Sequence, residues 1–182
     1  MAEYQFYKTP NITGFDKEKG KGRPFLYYVH GIAISVAETD LLTGEFEILK
    51  TKIIHETGKS LNREIELGQI AGAFVQGAGW LTTEDMVYKN GKPLSVSPST
   101  YKIPTIADIP EEFEIEIFES GAKHASVFGS KGIGEPPFLY GHSVFFAIKN
   151  SIEYATGKPC GLMPPATPEN ILNAIEKAGI SL

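Results

Sequence analysis

Cysteine is almost missing from this chain: Cys160 stands alone among 182 residues. A lone thiol excludes an internal disulfide and fits a reducing compartment, so a cytoplasmic location is expected. Positive charge is also scarce, with 17 Lys and Arg against 22 Asp and Glu and a formal net charge of −5. The one lysine-rich stretch, Lys17 to Arg23, is diluted by Asp16, Glu18, Gly20 and Gly22, so no basic patch for nucleic acid is expected. Long apolar runs are lacking. The start, Met1-Ala2-Glu3-Tyr4-Gln5-Phe6, has neither the basic opening nor the apolar run of a signal peptide. Gly68-x-x-x-Gly72 lies in a stretch interrupted by Gln69 and Gln76, which argues against a membrane helix. Several catalytic signatures are missing too. His30, His55, His124 and His142 are scattered without metal-ligand spacing, so no metal site is assigned to this chain's own side chains. There is no phosphate-binding Gly-x-x-x-x-Gly-Lys run, no dinucleotide fingerprint and no Gly-x-Ser-x-Gly elbow.

What is present is an ordinary globular composition, 42% apolar and 21% charged. Residues 1–23 are polar and turn-rich and read as an N-terminal arm. Phe25 to Glu38 is β-branched and aromatic, which predicts a long strand. Thr43-Gly44 predicts a turn, and Glu45 to His55 alternates as the second strand of an antiparallel hairpin. Glu64 to Trp80 carries helical spacing through Ile65, Ile70, Ala73, Phe74 and Gly77. Asn90-Gly91 predicts a small hairpin, and Phe113 to Phe118 a strand with one wet face. Phe138 to Tyr154 reads as a helix burying Leu139, Val144, Phe145, Ile148 and Ile152. In the tail, residues 160–182, Thr167 caps a last helix with Pro168 in its first turn. The expectation is one α+β domain over 1–182, with a mixed, largely antiparallel sheet packed with helices.

Two features could carry chemistry. The run Gly129-Ser130-Lys131-Gly132-Ile133-Gly134-Glu135-Pro136-Pro137 holds one carboxylate on a backbone loosened by glycine and locked by proline. Pro136 is expected to push Glu135 towards an extended conformation. A carboxylate held firmly suits a general base. The second is Gln76, whose amide offers two donors and an acceptor to a heteroatom-rich ligand. Read alone, a glutamate such as Glu135 is more often a solvated turn residue and a glutamine such as Gln76 more often a helix-surface amide.

Taken together, several runs change that balance. Gly68-Gln69-Ile70-Ala71-Gly72-Ala73-Phe74-Val75-Gln76-Gly77-Ala78-Gly79, Ser97-Pro98-Ser99-Thr100-Tyr101-Lys102-Ile103-Pro104 and Ser130-Lys131-Gly132-Ile133-Gly134-Glu135-Pro136-Pro137 occur in this order. Phe6-Tyr7-Lys8-Thr9-Pro10, Gly22-Arg23-Pro24-Phe25 and Glu38-Thr39-Asp40-Leu41-Leu42-Thr43-Gly44-Glu45 precede them. The chain resembles the C-terminal part of the molybdopterin-binding large subunit of the xanthine dehydrogenase and aldehyde oxidase family. Ala71 and Gly132 depart from the acidic residue and the alanine common there.

The resemblance implies the C-terminal half-domain of a molybdopterin-binding region in a molybdenum hydroxylase. It implies Glu135 as the catalytic base that takes a proton from a metal-borne hydroxyl, Gln76 as a cofactor contact, and Gly134 as backbone close to the metal. The substrate it implies is a purine, another N-heterocycle or an aldehyde. One cysteine cannot ligate an iron–sulfur cluster. The iron–sulfur clusters, FAD and the remaining molybdenum-domain residues are therefore expected on partner domains or subunits, and this chain alone is expected to be inactive. The alternative it leaves is a non-catalytic cofactor-binding or assembly module.

Overall fold

The computed structural model describes residues 3–121 and 126–179, so His124 lies outside the described residues. The arm is not wholly irregular. Strands β1 (Thr13–Asp16) and β2 (Lys21–Arg23) pair as a small exposed antiparallel hairpin. The main sheet has three strands in the order β3 (Gly31–Thr39), β4 (Phe46–Glu56) and β7 (Glu112–Phe118). As the alternation predicts, β3 and β4 form an antiparallel hairpin, with a bulge between Val36 and Ala37. Strand β7 adds to the other side of β4 in parallel, Ile53 opposite Ile115 and His55 opposite Ile117.

The predicted strand from Phe25 begins only at Gly31. Residues 25–30 lie outside it: Tyr27 through its hydroxyl and Tyr28 through its carbonyl serve the loop at Lys131, while the His30 carbonyl still accepts from the Glu56 N–H at the end of β4.

Helix α1 (Arg63–Thr82) starts where capping chemistry demands. The Asn62 side chain accepts from the Ile65 N–H at 3.2 Å, and the buried Glu66 carboxylate reaches back to the Leu61 N–H at 2.8 Å and the Ser60 hydroxyl at 2.6 Å. Ile70, Phe74, Ala78 and Leu81 enter the core, where the Phe74 ring meets Phe113 at 5.1 Å. Ile65, expected inside, is exposed, because five residues of helix turn it about 140° away from the buried Ile70.

A small hairpin follows, β5 (Tyr88–Lys89) and β6 (Lys92–Pro93), turned by Asn90 and Gly91, both at positive φ. Helix α2 (His142–Thr156) lies on the inner face of β3, where Ala33 and Ala37 are small and Ser35 binds the Ser143 hydroxyl at 2.7 Å. Val144, Phe145, Ile148 and Ile152 are buried as expected. Leu139 is 63% exposed, because residues Pro136–Gly141 form a 3₁₀ turn rather than the first turns of the α-helix. Its tighter winding rotates residue 139 off the face that α2 later buries. Helix α3 (Pro168–Lys177) begins as predicted, with Thr167 Oγ1 accepting from the Asn170 N–H at 3.3 Å.

Candidate active site at the α1 and Pro136–Gly141 junction

The site forms where two backbones touch. A Cβ added to Gly77 would stand 2.0 Å from the Phe138 carbonyl oxygen, and one added to Gly141 would stand 2.3 Å from the Gly77 carbonyl carbon. Only residues without a side chain permit this approach. The Trp80 and Phe138 rings, 5.5 Å apart, close one side of the contact. On the other side α1 is held by Gly79, whose missing Cβ leaves room for the Pro104 ring.

This junction joins the segments that bear the sequence-predicted residues. Gln76 immediately precedes Gly77 and is exposed. Glu135 is exposed as well and sits at the head of the Pro136–Gly141 turn. Its backbone is not extended, as Pro136 led us to expect, but helical, with φ −100° and ψ −39°. The reason is local closure: the Phe138 N–H donates to the Glu135 carbonyl at 3.1 Å, and that bond outweighs the proline's steric push. Gly134 is exposed, with open space where a Cβ would be. Among the described residues, neither the Gln76 amide nor the Glu135 carboxylate has an intrachain hydrogen-bond partner. All three groups are exposed on segments that this junction joins. A separate groove of about 560 Å³, lined by Ile48, Val75, Thr82, Lys102 and Asp108 among others, includes none of them.

Sequence reading missed the residues that hold the loop before Glu135 in place. The loop before Glu135 is tied to the end of β4: the Lys131 N–H donates to the Thr57 carbonyl at 2.8 Å, and the Lys59 N–H to the Gly129 carbonyl at 2.9 Å. The Lys131 ammonium is buried, ion-paired with Glu56 Oε1 and donating to the Tyr28 carbonyl at 2.8 Å. Oε2 of Glu56 accepts from the His30 N–H at 3.1 Å and from His30 Nδ1 at 2.7 Å. A carboxylate can only accept, so Nδ1 carries the proton. Burial pushes the Glu56 carboxyl up, but the hydrogen bonds from Lys131, Ser120 and His30 together outweigh it and hold the pKa down at about 2.

His55, the neighbouring residue on the opposite face of β4, is fully buried. Its Nδ1 lies 2.6 Å from the Tyr140 hydroxyl, and the missing Cβ of Gly31 makes room for that hydroxyl. Desolvation lowers the His55 pKa, against weaker opposing effects of the Glu56 charge, the Gly132 carbonyl and Glu66. The imidazole is therefore neutral, while burial drives the Tyr140 phenol up to about 12. Of these five residues only Lys131 stands in a run that the sequence singles out, and its partners appear only in space.

Among the described residues no helix is long and apolar enough to cross a membrane, and no group of three His, Cys, Asp or Glu side chains is placed to hold a metal ion.

Comparison with known proteins gives this junction its context. Xanthine dehydrogenase/oxidase of Felis catus is 43% identical over 178 residues, which cover 93% of this chain and 13% of that protein. Aldehyde oxidase 2 of Rattus norvegicus is 43% identical over 162 residues, covering 86% of this chain and 12% of the relative. The chain thus spans about an eighth of the length of these curated relatives. In three dimensions it is similar to the aldehyde oxidoreductase of Desulfovibrio gigas, with a TM-score of 0.72 and 28% identity over 91% of this chain and 17% of the other. The family model described as the molybdopterin cofactor-binding domain matches residues 1–110, which include Gln76 and the whole of α1. On that match the chain belongs to the molybdopterin cofactor-binding domain family, and the relatives it resembles are xanthine dehydrogenases and aldehyde oxidases.

Proposed function

We propose that this chain supplies the catalytic base and part of the molybdopterin cleft of a molybdenum hydroxylase that oxidises a purine, another N-heterocycle or an aldehyde. In this reading it works with further molybdenum-domain, iron–sulfur and FAD parts, in the cytoplasm, and is inactive alone. The observation that carries the reading is the close packing of Gly77 against Phe138 and Gly141, which joins the segments bearing Gln76 and Glu135.

The three groups fit the cofactor in kind. Gln76 brings both donors and an acceptor, suited to a pterin edge or a metal oxo group. Gly134 leaves its main chain open to close approach. Glu135 is a carboxylate with no internal hydrogen-bond partner to compete for its oxygens. When bound, the cofactor supplies a redox-active molybdenum that accepts electrons from the substrate. The work of the chain is proton transfer and placement. Glu135, fixed by the turn that Pro136 and Pro137 begin, accepts a proton on a carboxylate oxygen, and Gln76 orients the cofactor from the α1 side.

In the holoenzyme that carries this chain, Glu135→Gln is expected to lower kcat by about a thousandfold with molybdenum content unchanged. Gln76→Ala is expected to lower molybdenum per protein, measured by elemental analysis. A Glu135→Gln enzyme turning over at the wild-type rate would remove the base assignment.

A further inference from the structure

We infer that the end of β4 is a two-sided clamp that sets the position of Glu135, with Lys131 and Tyr140 as positioning residues and Glu56 and His55 as their seats. The inference rests on the reading of Glu135 as the base for its kinetic consequence, but not for its structural one.

Glu135 lies midway in sequence between Lys131 and Tyr140. Both are anchored to consecutive residues of one strand, and those residues point to opposite faces because side chains alternate along a strand. On one face Lys131 drives its ammonium into a pocket with two fixed acceptors, Glu56 Oε1 and the Tyr28 carbonyl. The Tyr27 ring lies 6.0 Å from the same nitrogen, and the Tyr27 hydroxyl accepts from the Gly132 N–H at 3.0 Å. On the other face the Tyr140 hydroxyl reaches His55 Nδ1.

The two ring nitrogens of the neutral His55 have different surroundings, Nδ1 facing the Tyr140 hydroxyl. Its Nε2 is buried without a partner of good geometry, and the Gly132 carbonyl is the backbone acceptor that acts on this ring. The Tyr140 hydroxyl donates to Nδ1 or accepts from it according to the ring tautomer, and either bond ties Tyr140 to the strand.

Chemistry at a base demands this kind of fixing, since small misplacements of a reacting group are costly in rate. The ion pair is a poor device for stability alone, because desolvating two charges offsets most of their attraction. It is a good device for register: apolar side chains would fill the pocket in many ways, but an ammonium between two acceptors fits in one.

The test uses the holoenzyme with Lys131→Met, Tyr140→Phe and the double variant Glu56→Gln/Lys131→Met. The readouts are amide exchange by mass spectrometry over residues 129–141, molybdenum content, melting temperature, and kcat and KM separately. In Lys131→Met the amides of 129–135 should exchange at least about tenfold faster while those of α1 are unchanged. Molybdenum content should stay at the wild-type level and kcat should fall by about a hundredfold, with KM moved far less. The double variant should regain the melting temperature lost by stranding Glu56, but neither the loop protection nor kcat. Tyr140→Phe should loosen 136–141 by the same measure.

Wild-type exchange over 129–141 in both Lys131→Met and Tyr140→Phe overturns the clamp whatever the turnover. Recovery of kcat in the double variant overturns it too, by showing that the unpaired carboxylate alone did the damage. A fully active Glu135→Gln enzyme would sink the base reading instead, and leaves the exchange result to judge the clamp.

Discussion

Glu56 and His55 share a strand end but answer acid at different pH. The Glu56 carboxyl titrates at about 2 in the folded chain against its ordinary 4.5. The folded state therefore holds that proton less tightly than the unfolded chain, and the stability this gives is complete above about pH 4.5 and lost as pH falls towards 2. His55 is also depressed, from 6.5, so its protonation favours unfolding and its loss of stability begins on acidification below that value. Urea denaturation as a function of pH should show stability falling first below about 6.5 and again below about 4.5. Glu56→Gln should flatten the lower limb and deepen the upper one, because the Glu56 charge favours the His55 cation and its loss lowers that pKa further. An acid limb unchanged in that variant would assign it to other carboxylates.

At the scale of elements, the glycines of α1 divide into two kinds that sequence does not separate. Gly77 faces the Phe138 carbonyl, and no side chain fits. Gly72 has nothing near it. Gly77→Ala is expected to destabilise by about 2–3 kcal/mol through forced separation of the two backbones. Gly72→Ala is expected to stabilise by roughly 0.5–1 kcal/mol, since alanine loses less entropy than glycine in a helix. Thermal denaturation of both variants checks the pair, and equal effects would contradict the packing described. The turn Pro136–Gly141 shows the same tension between local rule and context. Its proline-led sequence predicts an extended residue at 135, and a hydrogen bond back from Phe138 decides otherwise.

For the molecule as a whole, the face of the sheet away from α2 is unusual. Small residues, Ala33, Ser35 and Ala37, turn towards the helix, while Ile32, Ile34 and Val36 on the other face are 56%, 65% and 49% exposed. They form an apolar row along a strand whose outer edge pairs with no other strand of the sheet. Such a row favours association in water. The isolated chain is expected to sediment as concentration-dependent oligomers, and Ile34→Glu to shift it towards monomer. A wild-type chain that remains monomeric across a hundredfold concentration range would contradict this.

Patterns that repeat within a few residues were legible without coordinates. The spacing of Ile70, Phe74 and Gly77 announced α1, Thr167-Pro168 announced the start of α3, Asn90-Gly91 announced its hairpin, and ordered runs carried the family. Each of these depends on local periodicity, local capping chemistry or a contiguous string. The tertiary structure alone decided the parallel addition of β7, the outward turn of Leu139, and the seating of Lys131 on Glu56 and of Tyr140 on His55. Those pairs are 75 and 85 residues apart in sequence. No local preference encodes which distant charge or ring a side chain will meet; that follows only when burial of the shared core brings the strand end and the loop together.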